Sequence, residues 1–96
     1  MSGYFIVRCE YFDEEEYRAY AKLAADAVKT FNGNFLVTGK GAQNQQESGC
    51  LPKTVVVKFN SYQDALSCYQ SDLYKKALNF IEKSSDRDFV IVEGLD

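Results

Sequence analysis

Apolar and polar positions alternate, then recur at helical steps, then alternate again. Tyr4-Phe5-Ile6-Val7-Arg8-Cys9-Glu10-Tyr11 is dense in aromatic and β-branched residues and predicts a strand. Asp13 with Glu16 three positions on forms a capping-box analogue, and Phe12 and Tyr17 occupy the positions of a hydrophobic staple. Tyr17, Tyr20, Ala21, Ala24, Ala27, Val28 and Phe31 then give one apolar helical face, ended by Asn32-Gly33 with Gly33 expected in the left-handed position. Asn34 to Thr38 and Thr54 to Phe59 predict a second and a third strand, joined by the long polar connection 39–53. Ser61 with Asp64 repeats the cap-and-acid pattern ahead of Tyr62, Ala65, Leu66 and Tyr69. Ser71 recaps a further segment carrying Leu73, Tyr74, Ala77, Leu78 and Ile81. Polar Ser84-Ser85-Asp86 closes it, and Asp88 to Glu93 predicts the last strand.

The order is βαββαβ, the pattern of a ferredoxin-like α+β sandwich, expected as one domain over residues 1–96. Strand parity separates Phe5, Val7, Cys9 and Tyr11 from Tyr4, Ile6, Arg8 and Glu10, and Val55, Val57 and Phe59 from Thr54, Val56 and Lys58. In the last strand, Val90 and Val92 are set against Phe89, Ile91 and Glu93, the latter three expected on the side the helices leave open. Both faces are apolar, yet the helices can cover only one. The expected partner for the other is a second copy, giving a homodimeric α/β barrel.

Composition narrows the chemistry. The 96 residues include seven Phe and seven Tyr but neither Trp nor His, which removes imidazole bases, Ser/His or Cys/His nucleophile pairs and His-based metal sites. Eleven basic against fourteen acidic residues leave a net charge of −3, the wrong sign for a nucleic-acid partner. Apolar runs are too short for a signal peptide or membrane span, so no membrane partner is expected. Three cysteines without C-x-x-C spacing fit a reducing cytoplasm. Cys9 is read as a core thiol, Cys68 as part-buried and Cys50 as exposed. Asp13-Glu14-Glu15-Glu16 fits helix capping better than a metal loop, and no metal or cofactor is expected.

The candidate ligand-facing set on the open sheet face is Tyr4, Ile6, Arg8, Glu10, Thr54, Val56, Lys58, Phe89, Ile91 and Glu93. Charges in an interior are costly unless paired. Arg8 and Lys58 with Glu10 and Glu93 therefore suggest either a polar pocket floor or ion pairs at the barrel rim. Were there catalysis, Glu10 or Glu93 would be the base, with Arg8 or Tyr4 polarising a carbonyl or enolate. Tyr69 and Tyr74 fall on the apolar stripe, with their hydroxyls expected to point outward, and Ser71 is read as a cap.

The opening Gly-Tyr-Phe strand, the Tyr-x-x-Tyr helix ending in Asn-Gly, Pro52 before Thr54-Val55-Val56-Val57-Lys58-Phe59, the Tyr69-Gln70-Ser71-Asp72-Leu73-Tyr74 stretch and the ending Val90-Ile91-Val92-Glu93-Gly94 resemble the domain-of-unknown-function family 1330. The resemblance spans essentially the whole chain. It implies a dimeric α/β barrel, distantly like antibiotic-biosynthesis monooxygenase-type proteins, and no established activity. Three departures stand out: Thr54 and Ile81 where members often have Arg, and Cys50-Leu51 where a Trp is common. The expectation is a small protein binding a small, largely apolar molecule inside a homodimeric barrel. The alternatives are a cofactor-independent monooxygenase- or isomerase-like enzyme acting on a small carbonyl or aromatic compound, and a structural or assembly protein.

Overall fold

A computed structural model describes residues 1–96. The elements are β1 (Gly3–Tyr11), α1 (Glu14–Thr30), β2 (Asn34–Val37), β3 (Lys53–Phe59), α2 (Tyr62–Gln70), α3 (Asp72–Leu78) and β4 (Ser85–Glu93). The four strands form one sheet in the order β2-β3-β1-β4, with every neighbouring pair antiparallel. This is the ferredoxin-like α+β arrangement the sequence predicts.

The helix starts form as their caps dictate. Asp13 Oδ1 accepts the Glu16 N–H at 2.9 Å, Ser61 Oγ accepts the Asp64 N–H at 3.0 Å, and Ser71 Oγ accepts the Tyr74 N–H at 3.2 Å while donating to the Cys68 carbonyl at 2.7 Å. Ser71 thus ends α2 and begins α3 with one hydroxyl. The staple does not form: Phe12 is 65% exposed, and Tyr17 stacks instead on Tyr11 at 4.4 Å between centroids. After α1 it is Asn32, at φ 60°, that takes the left-handed conformation. Gly33 is needed for space, because a Cβ there would lie 2.7 Å from both Phe59 and Val28 side-chain atoms. Past α3 the backbone bonds tighten to three-residue steps through Asn79, Phe80 and Ile81, which buries Ile81 beyond the helix end.

The core lies between the helices and one sheet face. Phe5 is at its centre, with ring centroids 4.7 Å from Phe59, 4.8 Å from Phe89 and 5.8 Å from Tyr74. Cys9 and Cys68 are both fully buried, and burial pushes the Cys68 thiol up to about 12. Cys50 is exposed.

Two expectations about β4 need correction. The strand begins at Ser85, so Ser85 and Asp86 belong to the sheet. Its register against β1 pairs Val7 with Phe89, Phe5 with Ile91 and Gly3 with Glu93. Directly paired residues share a face, so Phe89, Ile91 and Glu93 lie on the helix-covered side. Val90, opposite Ile6, and Val92, opposite Tyr4, take the open side. Both phases of Val90-Ile91-Val92 are apolar, so parity within the strand could not decide between them; only pairing with β1 does.

The central role of Phe5 is testable by chemical denaturation. Phe5→Ala should cost about 3–5 kcal/mol, whereas Phe12→Ala, outside the core, should stay within about 0.5 kcal/mol of wild type.

Candidate functional site

On the open sheet face the structure brings together seven of the ten residues singled out from sequence. Arg8 pairs with Thr54, Ile6 with Val56 and Tyr4 with Lys58 across β1 and β3, and Glu10 follows in phase along β1. Within the chain neither Arg8 nor Lys58 forms an ion pair with Glu10 or Glu93. Arg8 Nη2 instead donates to Gln45 Oε1 at 2.6 Å and to the Leu51 carbonyl at 3.4 Å, which draws the 39–53 connection over this end of the sheet. Lys58 Nζ lies 2.7 Å from Asp96 Oδ2, and the Tyr4 hydroxyl donates to Asp96 Oδ1 at 3.1 Å. The Lys58 and Tyr4 hydrogen bonds hold the Asp96 carboxyl down at about 2. Glu93 is exposed at the far end of β4 on the opposite face, which also carries Phe89 and Ile91. Phe89 packs there against Tyr69 at 4.8 Å.

A largely apolar, partly enclosed concavity lies on the other side of the sheet. A cleft of about 240 Å³ separates α1 from the strands. Its origin is legible in the side chains that face it: α1 presents Ala21, Ala24 and Val28, and the sheet presents Val7, Val55 and Val57. Short side chains on both walls cannot fill the space between a helix and a sheet. α1 also packs more closely on α3 than on the strands, which leaves the gap open. Exposed Phe35, Thr38 and Lys40 stand at its mouth.

The inner end of the cleft is polar. The buried hydroxyls of Tyr20 and Tyr74 share a hydrogen bond of 2.6 Å, so Tyr74 turns its hydroxyl inward rather than to the periphery. Arg87 Nη2 donates to the Tyr20 hydroxyl at 3.0 Å. The guanidinium lies over the rings of Tyr20 and Phe89, 5.0 and 5.2 Å from their centroids. Its Nε is buried without a hydrogen-bond partner, and no carboxylate lies within salt-bridge distance of Arg87. Burial works against the Arg87 charge, but the oxygens of Tyr20, Tyr74 and Tyr11 more than offset it and keep the group cationic. Burial raises the Tyr20, Tyr74 and Tyr11 hydroxyls above the usual phenol range, in each case partly offset by the Arg87 charge.

Sequence reading missed this cluster because Asp86-Arg87-Asp88 looks like a polar turn before a strand. The available signal was the two-residue step from Arg87 to Phe89 and Ile91, which puts the cation in phase with the core once β4 is extended backward.

Three phenols with raised pKa values tie stability to high pH. Folding favours their neutral forms, so their contribution is complete below the free-phenol value of about 10 and is lost as pH rises above it. Phenolate absorbance during an alkaline titration should show Tyr11, Tyr20 and Tyr74 ionising only as the fold opens. Tyr20→Phe and Tyr74→Phe should each remove one group from this late set. Ionisation of all tyrosines ahead of the unfolding transition would contradict the buried cluster.

Comparison with known proteins agrees with the architecture. RPA0582, a protein of unknown function from Rhodopseudomonas palustris, superposes with a TM-score of 0.75 at 10% identity over 99% of this chain and 83% of that one. A dimeric ferredoxin-like protein of unknown function from Thermobifida fusca gives 0.53 at 14% identity over 98% and 92%. An antibiotic biosynthesis monooxygenase gives 0.54 at 10% identity over the full length of both chains, 100% and 100%. At these identities the likeness is one of fold. No curated protein is matched by the sequence. Residues 2–95 match the family described as a domain of unknown function, DUF1330, and the chain belongs to it.

Proposed function

We propose that the protein binds a small, largely apolar molecule in the cleft between α1 and the sheet, and that it does so as a homodimer. The observation carrying the first part is the cleft itself: a concave, mostly hydrophobic space with a few convergent polar groups at one end. Its lining contains no carboxylate, imidazole or thiol to take a proton, which favours binding over catalysis. This places the ligand inside each subunit, on the opposite side of the sheet from the shared interior expected from strand parity. Tyr4, Ile6, Arg8, Glu10, Thr54, Val56 and Lys58 then serve the contact between subunits.

The case for that contact rests on the open face. Val37, Val56, Ile6 and Val90 fall in one register row across all four strands. Val90 and Val92 are 46% and 39% exposed. A continuous apolar row on a sheet face without helices is the kind of surface that associates with its own copy about a two-fold axis. The likeness to a solved ferredoxin-like protein described as dimeric supports the same assembly. No helix is long and apolar enough to cross a membrane, and three free cysteines, two of them buried, accord with the reducing cytoplasm.

Titration with a neutral aromatic probe such as indole, followed by amide and methyl NMR shifts, tests the cleft. Shifts should centre on Val7, Ala24, Val28 and Val57, and Ala21→Phe, which fills the space, should weaken binding by about tenfold or more. Shifts confined to the open sheet face would overturn the placement.

Sedimentation at micromolar concentration tests the assembly. Wild type should run as a dimer, and Ile6→Asp or Val90→Asp, which buries an unpaired charge in the contact, should run as a folded monomer. A monomeric wild type rules the assembly out.

A further inference from the structure

The polar end of the cleft is built with an excess of donors. Tyr20 and Tyr74 have two hydroxyl protons between them and use one in their mutual bond, whichever residue donates it. Tyr20 also accepts from Arg87, and the Arg87 guanidinium sits close enough to the Tyr74 oxygen to act on it as a donor as well. One phenolic O–H is therefore left to give. Arg87 adds its buried Nε–H, which meets no protein acceptor. The cluster also holds an uncompensated positive charge: Asp86 and Asp88, the neighbours of Arg87 on β4, face the other side of the sheet, and Glu82, which shares the outer surface depression beyond Arg87, makes no ion pair with it. A half-buried guanidinium without a carboxylate partner and surplus donors at the inner end of an apolar cleft are matched best by one kind of group, an oxygen acceptor bearing negative charge.

Resting on the cleft being the binding site, we infer that its ligand is an organic monoanion, a carboxylate on an aromatic or branched apolar body, with the carboxylate against Arg87 and the Tyr20–Tyr74 pair. The apolar body lies between the alanines of α1 and the valines of β1 and β3. The Tyr20 and Phe89 rings lie 5.0 and 5.2 Å from the guanidinium carbon and, with the Tyr20 hydrogen bond, hold the charge in place rather than leaving it on a freely turning chain. Lys40 at the mouth places a second cation on the way in. A volume of about 240 Å³ lies below the range of roughly 300–1,000 Å³ that holds drug-sized ligands, which limits the body to about one ring with a short chain.

The experiment compares 3-phenylpropanoate and benzoate with their matching primary amides, which keep the shape and lose the charge. Binding is measured by calorimetry and NMR shifts on the wild-type protein, on Arg87→Gln and on Tyr20→Phe. In the wild type at least one carboxylate should bind about tenfold or more tightly than its amide. Arg87→Gln should erase that difference, weakening the carboxylate about tenfold or more and the amide by much less, and Tyr20→Phe should reduce it. Equal affinity of acid and amide in the wild type overturns the anion assignment and leaves the apolar cleft standing as a binding site. Failure of both, together with failure of indole to shift cleft residues, overturns the site itself. The wild-type acid-to-amide ratio decides the matter even if Arg87→Gln does not fold.

Discussion

The antiparallel register between β1 and β4 decides what every other part of the molecule can be. It pairs Val7 with Phe89 and Cys9 with Arg87, and so sends Phe89, Ile91 and Arg87 under the helices. A shift of one residue would reverse the face of each side chain on β4. Val90 and Val92 would enter the core in place of the two residues that pack near Phe5, and the guanidinium would move to the open face. Phe5 enforces the observed register. Its ring meets Phe89 at 4.8 Å and Phe59 at 4.7 Å, so it joins three strands through aromatic contacts that a slipped strand would lose.

The same register divides polar work between the two faces. On the open face the cations are answered from within the chain: Arg8 by Gln45 and the Leu51 carbonyl, Lys58 by Asp96. These are largely exposed contacts of modest strength, and they dress the two ends of the sheet while the middle row of Val37, Val56, Ile6 and Val90 stays bare. On the helix face Arg87 is answered only by phenols and aromatic rings. An interior that stabilises Arg87 with neutral oxygens and aromatic rings keeps its charge available, whereas a carboxylate partner would have cancelled it.

Much of this was legible in the chain. The capping residues Asp13, Ser61 and Ser71, the alanine-rich stripe of α1 and the β-branched strands specify the elements locally, and the resulting order leaves few ways to arrange the sheet. The candidate site was legible in part. In β1 and β3 the polar residues Arg8, Glu10, Thr54 and Lys58 share one phase, which placed Tyr4, Ile6, Arg8, Glu10, Thr54, Val56 and Lys58 on one face. β4 does not alternate, because Phe89 through Val92 is apolar throughout, so its facing depends on a long-range pairing that no local pattern contains. The cleft was hidden for a related reason. Alanine on a helix face reads as core, and whether it makes a tight seam or a gap depends on how near the opposite layer comes.

The gap follows from competition for α1. Tyr20 carries the hydroxyl that reaches Tyr74 on α3, and Ala24, Ala27 and Val28 continue the buried face of the helix. Satisfying a buried Tyr–Tyr pair draws α1 toward α3, because each hydroxyl would otherwise lose a hydrogen bond in the interior. With alanines rather than leucines facing the sheet, nothing refills the space that this leaves. Larger residues at Ala21 and Ala24 would bring better packing and greater stability at the expense of the cleft. The polar cluster and the cavity therefore have one cause: the bond that anchors α1 to α3 both opens the space and supplies the donors at its inner end.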